Sequence, residues 1–256
     1  MRSFLSIVVV AAFVGGCGHA APSPRLTLAA QLDDDDPDTH LTDLPRGQAA
    51  PGNADAVVRV IAHGVPCSGA LVGPKLVLTA QHCVAGRDGD EVDVTLPPGY
   101  VWVELGGAGL PWGRVRARKL VTCEGWMGSA AFDVAALVLE APVPDVTPLR
   151  LGTIAEGDRV SARGFGTGMV VRSMPLTPWH TFDSTRSSRQ GKTVAVVDEV
   201  IAVEMPTHGG DSGGPILNAD GELVAITSHG REGDKPLTLG ARVDACATMI
   251  GDALTR

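Results

Sequence analysis

The sequence predicts an all-β fold: a sandwich, a single barrel or two small barrels in tandem. From about residue 55 onward, short runs of Val, Leu and Ile alternate with turn residues, as in a chain of short strands. The 256 residues include 32 Gly and 18 Pro, which suits frequent turns better than long helices. Hydrophobic residues make up 44% of the chain, so a sizeable core can form.

Ten segments are predicted to be strands, because aliphatic residues dominate them and Gly, Pro or Asp bounds them. They are residues 57–62, 69–79, 92–96, 100–105, 114–121, 134–139, 158–163, 193–203, 214–217 and 222–228. Asn218-Ala219-Asp220-Gly221 has the composition of a hairpin turn between the last two. Residues 244–254 alone have helical spacing and predict a terminal helix.

The first residues, 1–17, are predicted to be a signal peptide. Arg2 precedes an apolar or small run over residues 4–16, shorter than the roughly 20 residues that cross a bilayer as a helix. Val14-Gly15-Gly16-Cys17 resembles the bacterial lipobox, which implies lipidation of Cys17; the alternative is ordinary signal cleavage near Ala20 or Ala21. We expect an exported protein, as an outer-membrane or cell-surface lipoprotein or otherwise as a secreted or periplasmic protein.

The chain is acidic, and its acidic run marks a linker. Residues 18–46 contain several prolines and Asp33-Asp34-Asp35-Asp36 without sustained periodicity, so we expect a disordered acidic linker. A calcium loop would space its oxygen ligands around a glycine turn, so the run is interpreted as a solvated spacer. The net charge of −8 and the absence of a long basic run exclude nucleic acid as a partner.

Cysteine usage agrees with export. Besides Cys17, the chain contains Cys67, Cys83, Cys123 and Cys246. Exported proteins normally pair their cysteines, and lipidation of Cys17 would leave an even number, enough for two disulfides.

The strongest candidate for a catalytic motif is Gly210-Asp211-Ser212-Gly213-Gly214-Pro215. A serine hydroxyl becomes a nucleophile when a base takes its proton, and flanking glycines let the backbone bend and a substrate carbonyl approach. The backbone N–H groups of Gly210 and Ser212 are predicted to form an oxyanion hole. One alternative is a glycine-rich turn with an incidental serine. Another, the Gly-x-Ser-x-Gly elbow of α/β-hydrolases, is excluded because Gly213-Gly214-Pro215 would break the helix that must follow the serine.

His82 and Asp133 are predicted to complete the site from upstream. His82 ends the apolar segment Leu78-Thr79-Ala80-Gln81-His82-Cys83, and Asp133 begins Asp133-Val134-Ala135-Ala136-Leu137. Singly, they would be interpreted as a packed core histidine and a strand cap. Together with Ser212 they follow the chain order of chymotrypsin, in which the histidine is the base and the aspartate fixes its tautomer.

With these motifs, the chain resembles the trypsin/chymotrypsin-like serine protease family over residues 55–252. Further segments that carry the resemblance are Cys67-Ser68-Gly69-Ala70-Leu71, Arg163-Gly164-Phe165-Gly166, the run from Leu223 to Gly230, and Arg242-Val243. It implies two six-stranded antiparallel β-barrels, over residues 47–148 and 149–256, with a C-terminal helix and the active site between the barrels.

The resemblance also implies a function. We expect a monomeric serine endopeptidase that hydrolyses polypeptides through an acyl-enzyme on Ser212, without cofactor or metal. Membrane contact would be limited to the lipid at Cys17. The alternative is a catalytically weak protease-fold protein that binds at the cell surface.

The same resemblance assigns the disulfides and a peptide-binding strand. Cys67–Cys83 would be the family's histidine-loop bridge. Cys123 then remains for Cys246, at the start of a terminal helix that packs back on the first barrel in this fold. Ser228, His229 and Gly230 would pair with substrate as an antiparallel strand.

The chain departs from the family in three places. It lacks the Ile-Val-Gly-Gly start whose new amine pairs with the equivalent of Asp211; only Leu44-Pro45-Arg46-Gly47 lies near, so the partner of Asp211 stays open. His208 replaces a bridging cysteine and is interpreted as a pocket wall rather than a metal ligand. The pocket floor falls near Pro206 and a wall near Thr238. Neither residue is acidic, so no preference for Lys or Arg is predicted.

Overall fold

The structure is a computed structural model. It describes residues 54–62, 65–84, 93–95, 100–106, 108–109, 111, 113–125, 128–166, 170–171, 182–231 and 233–255. The predicted signal peptide, the lipidation of Cys17 and the linker over residues 18–46 lie outside these residues. Within the described part, no helix is long and apolar enough to cross a membrane.

Short strands dominate the described chain. They are β1 (Val57–Ala62), β2 (Val65–Gly73), β3 (Leu76–Thr79), β4 (Asp93–Thr95), β5 (Val101–Leu105), β6 (Ala108–Gly109), β7 (Gly113–Thr122), β8 (Ala135–Leu139), β9 (Arg159–Gly164), β10 (Val170–Val171), β11 (Phe182–Thr185), β12 (Ser187–Val197), β13 (Val200–Glu204), β14 (Pro215–Leu217), β15 (Leu223–Arg231) and β16 (Leu237–Arg242). The helices are α1 (Gln81–Val84) and α2 (Ala247–Leu254), and 3₁₀ turns cover Ala54–Ala56 and Asp244–Cys246.

The first barrel closes through six antiparallel strands in the order β7-β5-β1-β2-β3-β8, with β8 pairing back onto β7 and β4 added beside β7. The register places Val60 opposite Val103 and Thr79 opposite Ala135. Aliphatic side chains fill the interior, and the fully buried ones include Val58, Val60, Leu71, Leu78, Leu120 and Leu137. Removing these side chains from water is the main favourable contribution to folding.

The second barrel closes in the order β12-β13-β16-β15-β14-β9, and β10, β11 and β6 form a separate three-stranded sheet. Its core contains Ile201, Val203, Met205, Ile216 and Ala225. The predicted fold of two six-stranded antiparallel barrels with a C-terminal helix is confirmed.

Backbone, disulfide and helix contacts join the barrels. The Ser68 N–H on β2 donates to the carbonyl of Ser212 at 2.8 Å. The C-terminal helix α2 contacts β7 and β8 of the first barrel. The structure contains both disulfides that the family resemblance implied, Cys67–Cys83 and Cys123–Cys246. The second disulfide attaches the start of the terminal helix to the first barrel, across 123 residues of chain.

Some strands differ from the sequence prediction. The segment 69–79 forms two strands, because Pro74 has no N–H for the ladder and turns the chain between β2 and β3. The segment 193–203 is likewise divided by a turn at Asp198, whose φ is 45°. β16 is missing from the prediction because Gly240 interrupts its apolar pattern. A Cβ at Gly240 would lie 2.7 Å from Ile216 Cδ1, so a side chain there would press against the packed barrel interior.

Candidate active site

His82 lies just beyond the end of β3, on the single turn of α1, and Asp133 holds it. The His82 N–H donates to Asp133 Oδ1 at 3.0 Å, and His82 Nδ1 lies 2.7 Å from Asp133 Oδ2. The Asp133 side chain is fully buried, whereas that of His82 is 32% exposed. Because a carboxylate only accepts hydrogen bonds, Nδ1 carries the proton, and Nε2 is left as the basic atom.

Asp133 is ionised despite its burial. Burial alone would raise the pKa of Asp133, but hydrogen bonds from His82, the charge of His82 and a hydrogen bond from Ser228 outweigh burial and hold that pKa below its ordinary value. The carboxylate can therefore stabilise a positive charge on the His82 ring.

Ser228 and His229 extend this network from the second barrel. The Ser228 hydroxyl donates to Asp133 Oδ2, and its oxygen lies 2.6 Å from His229 Nδ1. Since the hydroxyl proton points to Asp133, the contact requires His229 Nδ1 to donate. The His229 and His82 rings are tilted by 40°, with centroids 5.6 Å apart. Two of the residues predicted to bind substrate therefore also contact the candidate catalytic pair.

Ser212 sits in a sharp turn that only glycines permit. A Cβ at Gly213 would lie 2.2 Å from Ser68 O and from Thr79 Oγ1, and Gly213 has a φ of 81°. A Cβ at Gly214 would lie 2.2 Å from the carbonyl of Arg163. The backbone thus approaches both barrels more closely than any side chain allows.

The Ser212 hydroxyl lies beside the same network. Its Oγ donates to the Ser228 carbonyl at 3.4 Å, which is at the long limit for such a bond. A weak bond of this kind leaves the hydroxyl able to exchange partners. The structure therefore places Ser212, Ser228, Asp133 and His82 at one junction between the barrels.

Ser68 fixes the backbone on the N-terminal side of Ser212. Its hydroxyl donates to the carbonyl of Gly210 at 2.7 Å and accepts the N–H of Phe165 at 3.0 Å. Gly210 itself has a φ of 96°, which favours glycine. Ser68 lies in one of the family motifs, but its role could not be predicted from the sequence because these partners are distant in the chain.

The predicted pocket residues are only partly brought together. Pro206 is exposed, whereas Thr238 is fully buried and donates to the carbonyl of Met205 at 2.8 Å. Thr207, which lies in none of the sequence motifs, is also buried, and its Oγ1 lies 3.3 Å from Thr238 Oγ1. A Cβ at Gly230 would lie 2.1 Å from Thr207 Oγ1, so these two segments are in direct contact.

His208 lies next to this pocket and is half-buried. Its backbone N–H donates to Asp211 Oδ2 at 2.9 Å. Among the described residues, no group of three or more His, Cys, Asp or Glu is arranged to hold a metal ion.

Comparison with known proteins identifies the family. The chain belongs to the trypsin family, whose model matches residues 46–250. The glutamyl endopeptidase of Bacillus licheniformis is 24% identical over 204 residues, which are 73% of this chain and 59% of that protein. The peroxisomal leader peptide-processing protease of Mus musculus is 32% identical over 193 residues, which are 72% of this chain and 29% of that protein. The chain thus spans less than two thirds of the length of these relatives.

Solved structures agree with the observed fold. A Glu endopeptidase in complex with MPD superimposes with a TM-score of 0.66 at 16% identity, covering 84% of this chain and 99% of that chain. The scabies mite inactivated protease paralogue S-I1 superimposes with a TM-score of 0.63 at 19% identity, covering 79% of this chain and 96% of that chain. At these identities the likeness shows the fold alone.

Proposed function

We propose that the protein is a serine endopeptidase that forms an acyl-enzyme on Ser212. One observation carries the proposal: the buried Asp133 holds His82 through two hydrogen bonds and is bound by Ser228, whose carbonyl accepts the Ser212 hydroxyl. Ser228 thus links Ser212 to the Asp133–His82 pair, which supports the proposal although no hydrogen bond joins Ser212 directly to His82.

In the proposed reaction, His82 Nε2 accepts the Ser212 proton as Oγ attacks the peptide carbonyl carbon. The N–H groups of Gly210 and Ser212 stabilise the oxyanion. When the C–N bond breaks, His82 returns the proton to the leaving amine, and the acyl group stays on Ser212. His82 then deprotonates a water molecule that hydrolyses the acyl-enzyme. Asp133 remains ionised and stabilises the imidazolium in both steps.

The proposed substrates are extended polypeptides with a small residue before the cleaved bond. Ser228 to Gly230 supply the backbone groups for an added strand. The direct contact between Thr207 and Gly230 supports the size preference, because these two segments would flank that side chain. A peptide library that varies this residue tests the preference; efficient cleavage after Phe or Arg would contradict it.

Export is part of the proposal. The signal-peptide composition of residues 1–17 and the two disulfides support it. Cys17 would carry the lipid anchor, and palmitate labelling that survived Cys17→Ser would refute that assignment.

The proposal is tested with a fluorophosphonate, which reacts with an activated serine, and with casein as a general substrate. Wild-type protein should be labelled on Ser212 and cleave casein, and Ser212→Ala should lose both properties while keeping its unfolding midpoint. Ser188→Ala, which removes an exposed serine of the same barrel, is the matched control. Folded wild-type protein that neither reacts nor cleaves would favour the alternative of a surface binding protein.

A further inference from the structure

Asp211, the residue before the proposed nucleophile, is a buried carboxylate, only 3% exposed. A buried charge is costly unless it is paired and hydrogen-bonded. In the family that this chain resembles, a new amine created by cleavage near the chain start supplies the pairing. The sequence contains no Ile-Val-Gly-Gly segment that would provide such an amine.

The structure supplies an internal cation. Arg189 Nη1 lies 2.5 Å from Asp211 Oδ2, and the two side chains are only 14% and 4% exposed. Arg189 lies on β12, directly opposite Ala162 of β9. The guanidinium is therefore held by the ladder of the second barrel, independently of the chain start.

Backbone donors also bind the Asp211 carboxylate. Oδ1 accepts the Gly166 N–H at 2.8 Å, and Oδ2 accepts the His208 N–H at 2.9 Å as well as Arg189. The Ser187 Oγ lies 3.4 Å from Oδ1, but its single proton has a nearer acceptor in a backbone carbonyl at 3.2 Å. Both carboxylate oxygens therefore accept at least one hydrogen bond.

The space around the Asp211 carboxylate, next to Gly164 and Gly166, is also filled. A Cβ at Gly164 would lie 2.6 Å from Asp211 Oδ1, and a Cβ at Gly166 would lie 2.6 Å from Asp211 Cγ. The two glycines therefore allow the backbone to close around this carboxylate, and an amine entering from the chain start would have to displace Arg189.

Asp211 is part of the oxyanion loop, which we define as residues 208–214, so its carboxylate contacts bear on the loop backbone. Its N–H donates to the carbonyl of His208 at 3.0 Å, and its carbonyl accepts the N–H of Gly214 at 2.9 Å. The orientation of Asp211 thus sets the direction of the flanking N–H groups of Gly210 and Ser212.

We propose that Arg189 is the positioning residue for the oxyanion loop, and that it holds the loop in its active form without cleavage at the chain start. The inference rests on the proposed function, because it assigns the loop a catalytic purpose. If Arg189 is removed, Asp211 becomes a buried unpaired charge, and the loop reorganises to expose or reorient it. The loss then falls on transition-state stabilisation rather than on substrate binding.

Activity measurements on exported full-length protein test the first part. Arg189→Met should lower kcat by about 10²-fold while KM changes by less than about threefold, since oxyanion donors act mainly on the transition state. Arg189→Lys should have an intermediate kcat, because the ammonium keeps the positive charge but lacks the planar guanidinium with its several N–H donors. Lys192→Met is the matched control, since it removes one cation from an exposed position on the same strand, and it should match wild type.

Amide hydrogen exchange separates failure of this inference from failure of the proposed function. Peptides from the oxyanion loop should exchange faster in Arg189→Met than in wild type or Lys192→Met, whether or not the protein cleaves peptides. An inactive wild type with this exchange pattern would refute the proposed function and leave the positioning by Arg189 supported. Unchanged kcat and unchanged loop exchange in Arg189→Met would overturn the inference.

A second experiment tests whether the active form of the oxyanion loop depends on the chain start. It uses a variant that keeps Arg189, so its result does not depend on how Arg189→Met folds. Extending the exported chain by Gly-Ser at its N-terminus alters the position of the terminal amine. We expect kcat/KM to stay within about twofold of wild type, because all the groups that position the loop are internal. A loss of more than about tenfold would overturn this part of the proposal.

Discussion

Two buried carboxylates of the first barrel, Asp133 and Glu104, respond to burial in opposite ways. Asp133 is fully buried, and its pKa lies below the ordinary value. Glu104 is 5% exposed, and burial raises its pKa from 4.5 to about 7, more than the charge of Arg59 lowers it. Burial therefore does not by itself decide the ionisation of these groups.

The difference lies in the donors that reach each carboxylate. Asp133 accepts the His82 N–H, the His82 ring and the Ser228 hydroxyl. Glu104 lies opposite Arg59 on β1, but its Oε2 accepts no hydrogen bond from the described residues. A carboxylate with donors on both oxygens is stabilised as an anion more than one that keeps a buried oxygen without a donor. Asp133 is thus suited to support a cationic His82, and Glu104 is not equipped for such a role.

The largest expected effect comes from breaking the Asp133 network. Asp133→Asn keeps the volume of the side chain but replaces one acceptor oxygen with an NH₂ donor, so it no longer fixes the Nδ1–H tautomer of His82. We expect kcat to fall by about 10⁴-fold with the fold intact. Steady-state kinetics and thermal unfolding measure the two properties. A loss smaller than about tenfold would show that Asp133 does not orient the base.

The second effect concerns stability and pH. Because folded Glu104 keeps its proton to higher pH than the unfolded chain, its contribution to stability is complete below 4.5 and is lost as pH rises toward 7. A shift of this size corresponds to roughly 3 kcal/mol. Glu104→Gln should remove this loss, so urea unfolding of variant and wild type should diverge between pH 4.5 and 8. Parallel curves would contradict the raised pKa.

Two other carboxylates serve as references for the Glu104 measurement. Glu140→Gln alters a carboxylate whose side chain is 43% exposed and paired with Arg116, so its curve should parallel wild type. Asp133 should show the opposite pH dependence from Glu104. Its lowered pKa contributes stability above about 3.8, and that contribution is lost as pH falls.

The smallest effect is expected at Ser228. Ser228→Ala removes one of the donors to Asp133, so the pKa of Asp133 should rise and acid unfolding should begin at higher pH. We expect kcat to fall by about tenfold, because His82 still binds both carboxylate oxygens. Ser188→Ala provides the control for serine removal. Identical acid unfolding in Ser228→Ala and wild type would show that the hydroxyl does not stabilise the Asp133 charge.

The sequence was sufficient to predict the fold class and the groups that the structure joins at the barrel junction. His82, Asp133 and Ser212 each lie in a short local motif, and local motifs can be recognised without knowing the register of any strand. Strand ends depend on turn chemistry instead: Pro74 divides one predicted strand, and Asp198 divides another.

Arg189 and Thr207 could not be identified in this way. Arg189 reaches Asp211 only because β12 pairs with β9 in a particular register. Thr207 meets Gly230 only when β15 lies beside the segment before Ser212. Neither residue belongs to a motif, since each acts through a partner that lies far from it in the chain.

Trapping the proposed acyl-enzyme on Ser212, formed with the help of His82, is the most direct test of the proposed function. Protein mixed with an activated ester should be quenched in acid within the first turnover and digested for mass spectrometry. We expect one acyl group per chain on the peptide that contains Ser212, and none in Ser212→Ala or His82→Ala. Turnover of the ester at the wild-type rate by Ser212→Ala, or an acyl group on another residue, would contradict it.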